Sequence, residues 1–158
     1  MKNMVRLQVW GFLFAFVALS CRVNRAQSAT GSAQASGADV LSQAEVFPHG
    51  KMTVRRMTNG GESEDVVHGT LKTGEVVAVH ESMQPVGIKP NAAHRIEHSE
   101  FIVVREGTVQ FEHDGKAEEV GPGGVIYVAF GTMHRLRNVG NVPAKYVVIA
   151  IGGDTKGE

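Results

Sequence analysis

The chain has 158 residues, with 16 basic and 16 acidic side chains, seven histidines and one cysteine. That length holds one ordinary domain and a tail. The balanced charge gives no electrostatic case for nucleic-acid binding, and a single Cys21 excludes an intrachain disulfide framework.

At the front, Lys2 and Arg6 precede the apolar run LQVWGFLFAFVALS, Leu7 to Ser20. A positive head, a short apolar core and small residues beyond it predict a secretory signal peptide over residues 1–28. The run falls short of the roughly 20 apolar residues of a membrane span, so no span is expected after cleavage. In AQS, Ala26 and Ser28 put small residues where a signal peptidase reads them, which predicts cleavage before Ala29. The stretch ALSC offers a rival, a lipoprotein anchored through Cys21, although Ala18 and Leu19 match that motif poorly. Cleavage after Ser28 removes the only thiol together with Lys2, Arg6, Arg22 and Arg25. Taking those four from 16 leaves 12 basic residues against 16 acidic ones, a net charge of −4. The expectation is an exported protein, periplasmic or extracellular. Residues 29–45, rich in Ala, Ser and Gly, read as a flexible linker, and residues 154–158 as a C-terminal tail.

From Val46 the pattern becomes short β-type runs: MTVRRM, DVVHGTL, EVVAVHES, FIVVREGTVQFEH, VIYVAF and KYVVIAIG. Turn residues separate them, at NGG, TGE, DGK, GPGG and NVGNVP. Asp114-Gly115 between two such runs suits a type I′ hairpin turn. Short strands at this spacing, with no long helical periodicity, predict an all-β sandwich or barrel over residues 46–153. GPGG at Gly121 is no phosphate loop, because no Lys-Ser/Thr follows.

The stretch HRIEHSE, His94 to Glu100, concentrates metal-ligand residue types. In one straight strand His94 and Glu100 would stand about 20 Å apart, too far to share one ion. A common site therefore needs a bend around Glu97–Ser99. The rival is a short helix capped by Asn91, which would set His94 and His98 one turn apart. Solvated loop histidines are the plainer alternative. A distant segment, GGVIYVAFGTMHRLRN, runs a strand and a turn into His134, a natural route to a third ligand across a barrel.

These two segments resemble the signature motifs of the cupin superfamily. The first motif, Gly-x5-His-x-His-x3-4-Glu-x6-Gly, maps onto Gly87, His94, Glu100 and Gly107, with one extra residue before His94. The second, Gly-x5-Pro-x-Gly-x2-His-x3-Asn, maps onto Gly123, Gly131, His134 and Asn138. Ile96 stands where the second histidine belongs, and Ala129 where the proline does. The resemblance implies a small single-domain barrel, the jelly roll or double-stranded β-helix. It also implies a pocket at the barrel mouth for a small organic or sugar-like molecule. His94, Glu100 and His134, with His98 as a spare imidazole, then form a metal set suited to Fe(II), Mn(II) or Zn(II). Glu100 is the candidate catalytic group, as ligand or as general base. If catalytic, the implied reaction is that of a metal-dependent oxygenase or isomerase. The competing expectation is a metal-free binding or sensor module. His80, Ile96, Tyr127, Phe130 and Met133 are expected to line the pocket, and a homodimer is expected by analogy.

Overall fold

The structure is a computed structural model that describes residues 40–153. The expected leader with Cys21, residues 29–39 of the linker and the tail 154–158 lie outside the described residues. The described residues contain eleven strands and no helix. The strands are β1 (Val40–Leu41), β2 (Val54–Arg56), β3 (Glu62–Leu71), β4 (Val76–Gln84), β5 (His94–Arg95), β6 (Ser99–Glu106), β7 (Val109–His113), β8 (Lys116–Val120), β9 (Val125–Val128), β10 (Met133–Asn138) and β11 (Ala144–Ile151). One sheet runs β1-β3-β4-β11-β6-β9, with β2 also on β3; the other runs β5-β10-β7-β8. The chain is an all-β jelly roll of the double-stranded β-helix kind.

Period-two alternation sets which face each strand buries. In β11, Ala144, Tyr146, Val148 and Ala150 are buried; in β6, Glu100, Ile102 and Val104 are, while Phe101 between them is exposed. Val109 and Phe111 of β7 and Ile126 and Val128 of β9 complete a core that joins both sheets. Each such aliphatic side chain contributes about 1.5–3 kcal/mol by leaving water.

Turn chemistry matches the sequence in detail. Asp114 and Gly115 both have positive φ, 47° and 75°, and join β7 to β8 in a two-residue hairpin with His113 opposite Lys116. Both central residues of a type I′ turn need that sign. The long run FIVVREGTVQFEH divides at Gly107, between β6 and β7. A Cβ on Gly107 would lie 2.7 Å from the Pro143 carbonyl oxygen, so only glycine fits this crossing. Two residues of the stretch expected as linker, Val40 and Leu41, pair in parallel with Thr70 and Leu71.

Candidate functional site

No helix forms over residues 91–98; the bend does. His94 lies in β5 of the smaller sheet and Glu100 in β6 of the larger, so the intervening Ile96–His98 corner carries the chain from one sheet to the other. Gly131 pins that corner: its amide donates to the Ile96 carbonyl at 3.0 Å, and its carbonyl accepts from the Arg95 guanidinium. β10 pairs with β5 so that His134 stands opposite His94, their ring centroids 4.6 Å apart. Two segments distant in sequence thus deliver His94, His98, Glu100 and His134 to one cavity of about 390 Å³.

Within it, Glu100 is 3% exposed, His98 3% and His134 4%. A carboxylate buried this deeply needs hydrogen-bond partners. His98 Nε2 lies 2.8 Å from Glu100 Oε1 and donates to it when the carboxylate is ionised. Glu100 Oε2 faces His134 Nε2 at 3.9 Å. His134 Nδ1 lies 3.3 Å from the Thr132 carbonyl, which can only accept, so Nδ1 donates there and Nε2 is the nitrogen turned toward Glu100.

The residues fit a metal ion in part. Two donors about 2.0–2.2 Å from one ion can stand up to roughly 4.2 Å apart, which the Glu100–His134 gap satisfies. The other oxygen of Glu100 is taken by His98, and His94 is exposed. Among the described residues no set of three or more His, Cys, Asp or Glu side chains is arranged to hold a metal. Ile96, at the position of the replaced histidine, is 3% exposed and joins the apolar core while touching the cavity.

Of the expected pocket residues, His80 and Ile96 line the cavity. Tyr127, Phe130 and Met133 do not; they are 57%, 67% and 44% exposed. Phe130 lies in the turn after β9, and strand parity accounts for the other two. Ile126 and Val128 of β9 point inward, so Tyr127 points out, and Met133 alternates with the buried His134.

The larger sheet contributes a polar wall that the sequence reading missed. Ser63, Ser82, Gln84 and Tyr146 are buried and line the cavity. The signal was present: once His80 is read as inward, Ser82 and Gln84 follow at the same parity. Gln84 Nε2 donates to Tyr146 Oη at 2.9 Å, and Gln84 Oε1 accepts from the Asn138 amide at 2.8 Å. Burial pushes the Tyr146 phenol up, outweighing hydrogen bonds from Gln84 and Ser82 that lower it, and the nearby Glu100 charge adds to the rise. Asn138 serves structure: its Nδ2 donates to the carbonyls of Gln84 and Val142, and its Oδ1 accepts from Gly140.

Residues 79–150 match the family described as Cupin domain. The uncharacterized protein MJ1618 of Methanocaldococcus jannaschii is 29% identical over 87 residues, covering 55% of this chain and 70% of its own. A predicted oxalate decarboxylase from Thermotoga maritima superposes with a TM-score of 0.57 at 20% identity, over 68% of this chain and 98% of that one. A sugar phosphate isomerase from a cupin superfamily, from Silicibacter pomeroyi, has a TM-score of 0.57 at 18% identity, over 70% and 76%. Likeness at this identity fixes the fold and leaves the reaction open. The family match runs from β4 to β11 and takes in both signature segments, which meet at the cavity, so residues 79–150 form a cupin domain.

Proposed function

We propose that the barrel binds a small organic molecule in its cavity and that Glu100 is the group that meets it. The observation that carries this reading is a carboxylate buried at the cavity wall, held on one oxygen by His98 and facing His134 with the other. Such a carboxylate is positioned to accept a hydrogen bond or a proton from a bound molecule, while His98 keeps it oriented. The cavity size is within the range that holds small ligands. The leader expected over residues 1–28 supports a site of action outside the cytoplasm, through export or, in the rival case, a lipid anchor at Cys21.

A second reading is favoured by the 3.9 Å gap between His134 Nε2 and Glu100 Oε2. A divalent ion there would be held by those two donors, with His94 or His98 as the third. When bound, it would supply Lewis acidity or O₂ activation. The catalytic classes this reading admits are oxygenase and isomerase.

The test is to purify the protein from an exported preparation, without chelator or nickel affinity, and analyse what it carries. Small molecules released by denaturation from wild type, and absent from Glu100→Gln, support the first reading. About one equivalent of Fe, Mn or Zn, lost in His134→Ala, supports the second. No released molecule, no metal, and no shift of the His98 and His134 resonances with a library of polar fragments would sink both.

A further inference from the structure

The larger sheet's inner wall carries a second feature. Three hydroxyl residues on three adjacent strands lie in one cross-strand row: Ser63 of β3 stands opposite Ser82 of β4, and Ser82 opposite Tyr146 of β11. Arg55 of β2 stands opposite Ser63 at the end of the row and is ion-paired with Asp65 at 2.9 Å. The neighbouring positions of this wall mix the apolar Ile102 and Val148 with the polar His80, Gln84 and Glu100. A buried serine at such a position forgoes the hydrophobic stabilisation that Val or Ile would bring. The Gln84–Tyr146–Asn138 linkage joins the two sheets without using Ser63. No buried side-chain nitrogen or oxygen among the described residues lacks a partner. The wall is therefore satisfied before a ligand arrives, and a hydroxyl, with one proton and two lone pairs, has capacity beyond a single partner.

We propose that this row reads the oxygens of the cavity's ligand, selecting a small molecule with several hydroxyl groups over an apolar molecule of the same size. Adjacent strands lie about 4.8 Å apart. The row therefore presents hydroxyls at intervals suited to oxygens spread along a polyol or a sugar ring. Ile96, Leu136 and Val148 on the cavity wall take the ligand's carbon face, and Glu100 accepts from a hydroxyl on its far side. A ligand hydroxyl gains hydrogen bonds from this row that an apolar molecule of the same size forgoes. This inference rests on the reading of the cavity as a small-molecule site.

The experiment is ligand-observed NMR on the full chain with two matched probe sets, xylitol and glucose against cyclohexanol and toluene. The probes are titrated into wild type, Ser82→Ala, Ser63→Ala, Tyr146→Phe and Glu100→Gln. The expected result is that the polyols bind wild type more tightly than the apolar probes. Ser82→Ala and Ser63→Ala should each weaken polyol binding about three- to tenfold, leaving the apolar probes unchanged; one lost hydrogen bond is worth roughly that. If Tyr146→Phe unfolds, the two serine variants decide. Probes that bind and respond to Glu100→Gln, but bind equally well to the serine variants, would overturn the hydroxyl row and leave the cavity reading intact. Tighter binding of the apolar probes would do the same. No binding by either set would overturn both.

Discussion

His98 Nε2 and Glu100 Oε1 stand 2.8 Å apart, two residues apart in sequence, and both side chains are nearly sealed from solvent. The corner from β5 into β6 brings this about, because it turns His98 in toward the same cavity that Glu100 faces from the sheet. The pair is an internal partnership that must form whenever the barrel closes.

Breaking it should therefore cost stability. His98→Ala leaves the Glu100 carboxylate buried without its nearest partner, and such losses run about 3–5 kcal/mol. The exposed Arg105–Glu81 pair, at 2.8 Å, gives the contrast: Arg105→Ala should cost no more than about 1 kcal/mol. Urea midpoints of the two variants check this. Equal, small losses would mean that water reaches Glu100 once His98 is gone.

Ile96→His restores the imidazole of the first cupin motif at a position that touches the cavity beside His94 and His134. The variant is expected to bind Zn²⁺ or Co²⁺ at least about tenfold more tightly than wild type, the lower end of what one supporting group contributes at metal sites. Without metal it should be less stable by about 1–3 kcal/mol, because an apolar core residue becomes a polar one. Metal titration followed by tryptophan-independent Co²⁺ absorbance measures the first, and denaturant unfolding the second. Unchanged metal affinity would mean that residue 96 does not reach the donors.

How much of this was legible beforehand differs between particular residues. Chain reach called for the bend between His94 and Glu100 on the condition that the two share a site, since an extended strand holds them about 20 Å apart. The Asp114-Gly115 hairpin followed from turn chemistry. Tyr127 faces out by strand parity, between the buried Ile126 and Val128, while Phe130 lies in the turn after β9, where parity gives no guide. The serine row was hidden for a different reason. Ser63, Ser82 and Tyr146 become neighbours only through pairing registers that join residues 19 and 64 positions apart. No local pattern encodes those registers. β8, KAEEV, is a strand with four exposed residues, formed by the hairpin and its pairing with β7 rather than by an apolar face.

Asn138, the last residue of the second motif, tests whether a motif position is chemical or structural. Its side chain makes three hydrogen bonds, to Gln84, Val142 and Gly140, closing the turn between β10 and β11 and tying it to β4. Asn138→Ala is expected to lower stability by about 1–3 kcal/mol, since the freed groups are partly buried. Probe affinity at temperatures where the variant is folded should stay within about twofold, because Asn138 does not line the cavity. Loss of binding in a fully folded variant would assign it to the site instead.

The hairpin tip sets a pH dependence away from the cavity. His113 is hydrogen-bonded to Glu118 at 3.0 Å and to Asp114 at 3.3 Å, and these partners raise its pKa, Glu118 more than Asp114. His113 in turn lowers the pKa of Glu118, with a smaller contribution from Lys116. A raised histidine stabilises fully below its ordinary value of about 6.5, and that contribution is lost as pH rises through the folded value. A lowered glutamate stabilises above its ordinary value of about 4.3, and that contribution is lost as pH falls through the folded value. The pair therefore supports the hairpin best in mildly acidic solution, between those two ordinary values. NMR titration should place His113 above 6.5 in wild type and bring it down in Glu118→Gln, without abolishing the shift while Asp114 remains. The difference in Tm between wild type and Glu118→Gln should shrink as pH is raised from mildly acidic to alkaline. A His113 pKa that is the same in both proteins would show that the hairpin pair is absent in solution.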